Sequence, residues 1–395
     1  MYADATSNRT QVIDSDGPNA GCVYFPSVDL TDALPCYWLL KSQRFPPSQL
    51  SPAELCPLPL LLNLVPNPPC PVFAAQANFV NGGLFLALSA HHSVCDSTGV
   101  NIIAGTWAIN TKAAAAGTRF FTTRDRISAN LDRTQLMAVR GASGADITDF
   151  HEYHLAPTNP RAPQNASQIP RNGYHVFRFS RSALAIIKSI ASAFSTQDAL
   201  NAFLWRHIVN ARGLPDSETT VLGLSGNIRW RVNPSLPSTY LGNATVPVMT
   251  PSLNVSVLRG REGLTPAAAA IRTRINTVLT PARIAQNIGL LASRDDPSDF
   301  KPQYDCFRGR DIASASWTDF GVYDRTWGLG LGVPEALRVP SDAVFDGCVI
   351  ILPRPPPLVE NDPGLDLEVA IGLEDSVMDR LLADESFLQL AQKWT

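Results

Sequence analysis

The chain has 395 residues, enough for two or three domains, and its 45% apolar content can fill substantial cores. A formal net charge of -3, with only 17% charged residues, excludes the strongly basic surface needed to bind nucleic acid or acidic membranes. The seven scattered cysteines form no C-x-x-C pair. The sequence shows no secretory signal, and no apolar run reaches the roughly 18 residues of a membrane helix. We therefore expect a cytoplasmic protein.

In chain order, the first half of the sequence predicts an irregular segment, a strand and a helix. Residues 45–71 carry too many prolines for a long helix or a central strand. The unbroken apolar run from Leu84 to Leu88 predicts a strand buried on both faces. Helical spacing begins at Val100, with Ser97 or Thr98 available as the cap.

The second half of the sequence continues the alternation of strands and helices. Residues 155–172 have loop composition near the midpoint, which predicts a joint between an N-terminal domain, 1–172, and a C-terminal domain, 173–395. Ser195 and Asp198 have capping-box spacing at the start of a helix that ends at Arg212 and Gly213. Residues 365–371 alternate as in a half-buried strand, and a helix follows from about Glu374. This pattern predicts an α/β protein with mixed sheets.

Two histidines and an aspartate fall between the predicted strand at Leu84–Leu88 and the helix that follows it. Ligands of α/β proteins commonly bind at such strand ends, where a rigid sheet holds loop side chains. Neighbouring residues of a strand point in opposite directions, so we expect His91 to pack inside and His92 to be available for chemistry. Asp96 has a chemical interpretation and a structural one, in which it is either a helix cap or the partner of a buried arginine.

Other kinds of site have little support in the sequence. His91, His92, Cys95 and Asp96 would have to supply a metal site from one short stretch, and no second His or Cys cluster completes it, so we expect no metal. "GLSGN" at 223–227 lacks the last glycine of a serine-hydrolase elbow. "GLGLGVP" at 328–334 has neither G-x-G-x-x-G spacing nor a P-loop lysine.

Five stretches together resemble the BAHD acyltransferase superfamily. "HHSVCD", residues 91–96, resembles its H-x-x-x-D motif. "STQDALNAFLWRHIVNAR" at 195–212 is similar to its capped helix, and "NIRWRVNPSLPSTYLGNAT" at 227–245 to its R-x-R and Y-x-G-N run. "SASWTDFGVYDRTWGLGLGVPEALRVP" at 314–340 resembles its S-W and D-F-G-W-G segment, and residues 365–387 its closing strand and helix. The order and spacing are most similar to fungal members of the trichothecene acetyltransferase type, which act on secondary metabolites.

The D-F-G signature of the family has two possible positions in this chain. A literal "DFG" stands at 319–321, but the G-x-P that follows the family signature falls at 332–334. Counting back from there places 326–328 on the signature. We therefore interpret Asp319 as a decoy and expect Trp327 to lie in the functional segment.

Two departures from the family pattern accompany this alignment. Thr326 stands where the family has an aspartate, and the resemblance implies that this aspartate forms an ion pair with an arginine. Arg229 or Arg231 matches that arginine, and Asp324 is a possible substitute for the missing aspartate. Ser97 stands where the family usually has glycine.

The resemblance implies a catalytic set of His92, Asp96 and Trp327. A histidine near neutral pH can take the proton of an alcohol as it attacks a thioester, and can return it to the leaving thiolate. Backbone N–H groups or the Trp327 indole would then stabilise the oxyanion, while Asp96 holds the loop.

The resemblance also implies two chloramphenicol-acetyltransferase-like domains, with a tunnel between them that reaches His92. Acyl-CoA would enter this tunnel as a co-substrate, with Ser195, Thr196, Ser316 and Trp317 as its contacts, and no cofactor would be permanently bound. The acceptor would be a small hydroxylated metabolite, and we expect a monomer. Two other functions remain open: a condensation-type domain that takes its donor from a carrier protein, and a catalytically inactive binding homologue, which Thr326 and an unmatched opening segment favour.

Overall fold

The structure is a computed structural model of the chain. It describes residues 2–4, 9–11, 24–58, 71–118, 132, 134–139, 145–155, 172–294, 299–306, 309–355 and 366–395. The predicted joint at 155–172 lies almost entirely outside the described residues, so the domain boundary there stays a prediction. Among the described residues, no helix combines the length and the apolar character that a membrane crossing requires.

The described elements alternate along the chain. The helices are α1 Tyr37–Ser42, α2 Pro52–Leu55, α3 Ser97–Ala115, α4 Thr134–Met137, α5 Arg181–Ile190, α6 Thr196–Arg212, α7 Val255–Arg259, α8 Leu264–Val278, α9 Pro281–Ala292, α10 Asp375–Leu382 and α11 Glu385–Leu388. The strands are β1 Tyr2–Asp4, β2 Arg9–Gln11, β3 Ser27–Asp29, β4 Phe73–Val80, β5 Gly83–Ala90, β6 Tyr153–Leu155, β7 Asn172–Phe179, β8 Thr219–Thr220, β9 Leu222–Asn227, β10 Thr245–Met249, β11 Leu253–Asn254, β12 Phe300–Pro302, β13 Ile312–Ser316, β14 Cys348–Ile351, β15 Leu367–Glu374 and β16 Gln392–Lys393.

A seven-stranded mixed sheet forms the centre of the C-terminal half, in the order β10-β9-β13-β14-β15-β7-β16. The pairs β9/β13 and β13/β14 are parallel, and the other neighbours are antiparallel. Side chains alternate between the faces, so Ile351 and Ile371 join the core under α5, α6, α8 and α10, while Ile350 and Ala370 join a second core on the opposite face. Both faces are therefore covered.

The N-terminal half contains a three-stranded sheet in the order β3-β4-β5. Strands β4 and β5 form a hairpin in which Val80 pairs with Gly83, leaving a two-residue loop of Asn81 and Gly82. Gly82 has φ of 83°, a left-handed conformation that glycine adopts without the steric cost of a side chain. The predicted strand at Leu84–Leu88 is confirmed, but its residues are half-buried, because this small sheet does not enclose both faces.

The predicted helix after Ser195 is confirmed from cap to cap. Ser195 and Asp198 form the reciprocal capping box, and Gly213 ends α6 with φ of 67°. The predicted helix after Glu374 is also confirmed, as α10. Residues 367–373 are a strand, but the expectation that it is half-buried was wrong: β15 is buried on both faces between β14 and β7.

Candidate active site

The two adjacent histidines lie in the turn between β5 and α3 and differ in their exposure to solvent. His91 is buried, and its backbone N–H donates to the Val72 carbonyl at 2.9 Å. Its Nδ1 lies 2.7 Å from the Ser93 hydroxyl oxygen and accepts from the Ser93 backbone N–H at 3.3 Å. Burial, reinforced by the nearby His92, lowers the pKa of His91, which favours a neutral ring with a packing role. His92, by contrast, is exposed.

Asp96 is a buried acceptor for four hydrogen bonds. Its Oδ1 accepts from the Gly99 N–H at 2.9 Å and from Arg229 Nη2 at 2.8 Å, and its Oδ2 accepts from Arg229 Nη1 and the Ala244 N–H, both at 2.9 Å. The two charged side chains are 3% and 2% exposed. Asp96 therefore caps α3 and pairs with an arginine 133 residues away.

This geometry agrees with the structural interpretation of Asp96 and corrects two other sequence expectations. The cap of α3 is Asp96 itself, not Ser97 or Thr98, because its carboxylate reaches the Gly99 N–H while its backbone stays extended. Arg229 is paired with Asp96, so Asp324 is not its substitute acid and Thr326 does not leave it unpaired. The bidentate contact occupies both ends of the guanidinium.

The segment at 240–244 packs directly on the histidine turn. Arg229 donates to the Tyr240 and Gly242 carbonyls at 3.1 and 2.8 Å. Asn243 donates from Nδ2 to the His92 carbonyl at 2.7 Å. A Cβ on Gly99 would lie only 2.3 Å from the Leu241 carbonyl oxygen, so the segment and α3 can approach this closely only because residue 99 is glycine.

Asn243 is a site residue that the sequence analysis did not single out. It lies in the Y-x-G-N run at 240–243, so the resemblance contained the signal. The sequence did not show that its amide holds the backbone of His92.

The carboxyl end of β9, which lies beside that of β13, meets the start of α3. These strands run parallel, so their last residues lie at the same edge of the sheet. Asn227, the last residue of β9, donates from Nδ2 to the Thr98 hydroxyl at 3.2 Å. The sheet edge is thereby joined to the turn that carries His92.

A cavity of about 120 Å³ opens beside this edge. It is lined by the first turns of α6, the ends of β9, β10 and β13, and one side of α8. Its lining residues are Gln197, Asp198, Asn201, Leu224, Ser225, Gly226, Val248, Ile271, Ile275, Leu279, Ser314 and Ser316. Its mixed polar and apolar walls suit a chain that carries amide groups.

The charges at the cavity are neutralised within the protein. Asp198 is buried and forms an ion pair with Arg272. The Arg272 Nε donates to Oδ2 at 2.9 Å, and its Nη2 donates to Oδ1 at 2.8 Å. Arg272 also reaches the Ser195 hydroxyl at 3.1 Å. The first turn of α6, which includes Thr196, is thus joined to α8 beside the cavity.

The structure separates the two predicted contacts at the end of β13. Ser316 lines the cavity, together with Ser314 two residues earlier, which the sequence analysis missed. Trp317 packs instead against the core on the other face of the sheet and stacks on Phe320 with ring centroids 5.8 Å apart. The two-residue period of a strand explains this split.

Trp327 packs along α3 and away from the histidine turn. Its ring lies 5.8 Å from that of Trp107 in an edge-on arrangement. Trp107 follows Asp96 by eleven residues, which is about 16 Å along a helix at 1.5 Å per residue. The structure therefore does not bring Trp327 together with His92, and its packing favours a structural role.

The described residues contain no group of three or more His, Cys, Asp or Glu side chains placed to hold a metal ion.

A model of the Transferase family matches residues 52–388 of this chain. The chain belongs to this family, the BAHD acyltransferases. It is 26% identical to acyltransferase easC of Emericella nidulans over 404 aligned positions, which cover 95% of this chain and 80% of easC. It is 27% identical to trichothecene 3-O-acetyltransferase TRI101 of Fusarium sporotrichioides, over 83% of this chain and 69% of that one.

A solved structure extends the similarity to the fold. The crystal structure of Fusarium sporotrichioides TRI101 with coenzyme A and T-2 superposes with a TM-score of 0.78 at 25% identity. The match covers 94% of this BAHD acyltransferase and 82% of TRI101. The α/β architecture of chloramphenicol-acetyltransferase type predicted from the sequence is confirmed, and the protein is an acyl-CoA-dependent O-acyltransferase.

Proposed function

We propose that this acyltransferase moves an acetyl group from acetyl-CoA to a hydroxyl group of a small secondary metabolite, with His92 as the general base. The observation that carries the proposal is the exposed His92 on a turn whose backbone is held by Asp96 and Asn243. Relatives support the substrate class, because TRI101 is named as a trichothecene 3-O-acetyltransferase and its crystal structure contains coenzyme A and T-2.

In this mechanism His92 moves one proton twice. The imidazole takes the proton of the acceptor hydroxyl as its oxygen attacks the thioester carbonyl carbon. The tetrahedral oxyanion then collapses, the carbon–sulfur bond breaks, and protonated His92 returns the proton to the leaving thiolate. The products are an ester and free CoA, and no acyl-enzyme is needed. Backbone N–H groups are the favoured donors to the oxyanion, since Trp327 packs on Trp107.

Asp96 acts as a positioning residue in this proposal. Its four acceptor bonds leave no lone pair free for substrate, and it is almost fully buried. Its contribution is to fix the turn and the start of α3, so that His92 is held at a defined place relative to the sheet edge.

The cavity at the start of α6 is our candidate for the pantetheine arm of CoA. Ser316 lines it, and Ser195 and Thr196 begin the helix beside it. Pantetheine is uncharged, which fits a cavity whose one carboxylate, Asp198, is neutralised by Arg272. We also propose that the cavity continues as a tunnel between domains 1–172 and 173–395, and that the protein is a cytoplasmic monomer without a permanently bound cofactor.

Substitution of His92 tests the assignment of the base. Loss of general-base assistance costs roughly 10²- to 10⁴-fold in rate, so His92→Ala should lower turnover by at least about 100-fold while CoA binding and the melting temperature stay unchanged. His91→Ala is the matched comparison, and we expect it to lower the melting temperature because His91 is buried. Acetyl transfer is measured by mass spectrometry with a panel of hydroxylated metabolites, with and without a chelator.

The outcomes separate the competing functions. Activity of His92→Ala within about 10-fold of the wild type, or loss of wild-type activity on chelation, contradicts this mechanism. Turnover only with a carrier-bound donor indicates a condensation-type domain. CoA binding without any turnover indicates an inactive homologue, which Thr326 at the signature aspartate would explain.

A further inference from the structure

The second arginine of the R-x-R pair has no acidic partner among the described residues. Arg229 is neutralised by Asp96, whereas Arg231 forms no ion pair with any described carboxylate. The hydrogen bond that its guanidinium makes is from Nη1 to the Asn227 carbonyl at 2.9 Å. A guanidinium has five N–H donors, so most of the hydrogen-bonding capacity of Arg231 is unused within the described chain.

Arg231 is also partly removed from water. The side chain is half-buried, and this burial lowers its pKa with no neighbouring acid to oppose the effect. A charge that loses hydration without gaining a counter-ion destabilises the folded protein. Other half-buried arginines of this chain, such as Arg272 and Arg178, have their carboxylates, Asp198 and Asp366. Arg231 is therefore a cationic group that still lacks an anion.

The place of Arg231 connects it to the active site. Asn227, which receives its hydrogen bond, is the last residue of β9 and also contacts Thr98 at the start of α3. Gly226, one residue earlier, lines the cavity. Arg231 thus lies on the loop that leaves the same sheet edge.

An exposed aromatic ring accompanies this cation. Trp230 is 62% exposed, and the Arg231 guanidinium lies 5.3 Å from the centre of its ring. A large apolar ring in water next to an unpaired guanidinium is a surface that can take a flat ring and an anion together.

We propose that Arg231 and Trp230 form a subsite for the phosphorylated nucleotide end of acyl-CoA, with a phosphate group on Arg231 and the adenine ring on Trp230. This proposal rests on acyl-CoA being the donor. Phosphate is the anion that every molecule of this donor carries, and a guanidinium can bind two of its oxygens at once.

Arg231→Gln tests the subsite by removing the charge without a large change of size. Arg310→Gln is the matched control, because Arg310 forms an exposed ion pair with Glu218 and precedes β13, at the opposite edge of the sheet. Binding of CoA, adenosine bisphosphate (the nucleotide portion of CoA), pantetheine and inorganic phosphate is measured by calorimetry for the full-length proteins. We expect Arg231→Gln to weaken CoA and adenosine bisphosphate about 10- to 100-fold and to leave pantetheine unchanged.

Two further results should accompany this loss of affinity. Trp230→Leu should weaken adenosine bisphosphate but not pantetheine, and Arg310→Gln should change neither ligand. Raising the salt concentration should weaken adenosine bisphosphate in the wild type more than in Arg231→Gln, because salt screens the exposed part of the contact.

Each contrary result has a distinct meaning. If Arg231→Gln binds CoA as the wild type does, or loses pantetheine equally, the assignment of Arg231 is wrong. If inorganic phosphate binds the wild type as tightly as adenosine bisphosphate does, Arg231 is a general anion site and not a nucleotide subsite. If the wild type does not bind CoA at all, the proposal that acyl-CoA is the donor is wrong. The other two results would refute only the assignment of Arg231.

Discussion

Replacing Asp96 with asparagine should be among the most destabilising conservative changes in this protein. The carboxylate accepts four hydrogen bonds, two on each oxygen. An asparagine amide replaces one oxygen with an NH₂ group, which then faces two donors and can accept from neither. The change also leaves the Arg229 charge without a partner at 2% exposure.

The size of the effect follows from this burial. Removing one partner of a buried ion pair costs about 3–5 kcal/mol, whereas an exposed pair contributes less than about 1 kcal/mol. We therefore expect Asp96→Asn to lower the free energy of unfolding by about 3–5 kcal/mol. Glu218→Gln is the matched control at an exposed pair with Arg310 and should cost less than about 1 kcal/mol.

A double-mutant cycle isolates the pair from the rest of the site. Arg229→Met removes the unpaired charge, so adding it to Asp96→Asn should cost much less than Arg229→Met costs in the wild type. The free energies are measured by urea unfolding followed by tryptophan fluorescence, and acetyl transfer is assayed in parallel. Losses for Asp96→Asn below about 1 kcal/mol, or additivity of the two changes within about 0.5 kcal/mol, would refute the reasoning.

Two further comparisons probe the segments that flank the site. Trp327→Ala should lower the free energy of unfolding by about 2 kcal/mol, roughly half the cost for a fully buried tryptophan, and should reduce acetyl transfer. Asp319 is exposed, so Asp319→Ala should change neither property. The reverse ranking in melting and activity assays would show that the signature is assigned to the wrong residues. Gly99→Ala should cost about 1–3 kcal/mol and much of the activity, because its Cβ would lie 2.3 Å from the Leu241 carbonyl. Gly105→Ala, on the same helix with 3.6 Å to its nearest neighbour, should be neutral or stabilising, and equal losses in the two variants would contradict this steric argument.

Local signals in the sequence were enough to place several elements and the order of the site residues. The capping box of Ser195 and Asp198 and the glycine at 213 defined α6, because caps act between residues three or four positions apart. His91 is buried and His92 is exposed, as predicted, but the reason differs: β5 ends at Ala90, so both histidines lie in a turn and not on alternating faces of a strand.

Burial of whole strands was predicted less well. β15 was expected to be half-buried because Glu368 alternates with apolar residues, yet Glu368 is buried and pairs with Arg338 at 2.7 Å. A distant arginine makes a polar residue compatible with an interior position, and the pattern around residue 368 does not contain that information.

The sequence by itself thus determined the α/β class, the capped helix α6 and the position of His92 and Asp96 between a strand and a helix, since each depends on neighbours in the chain. Only the tertiary structure decided that Arg229 pairs with Asp96, that Asn243 holds the His92 backbone, and that Arg231 is left without an acid among the described residues. These facts depend on which distant segments meet at the edge of the seven-stranded sheet, and that meeting is set by packing of the whole core.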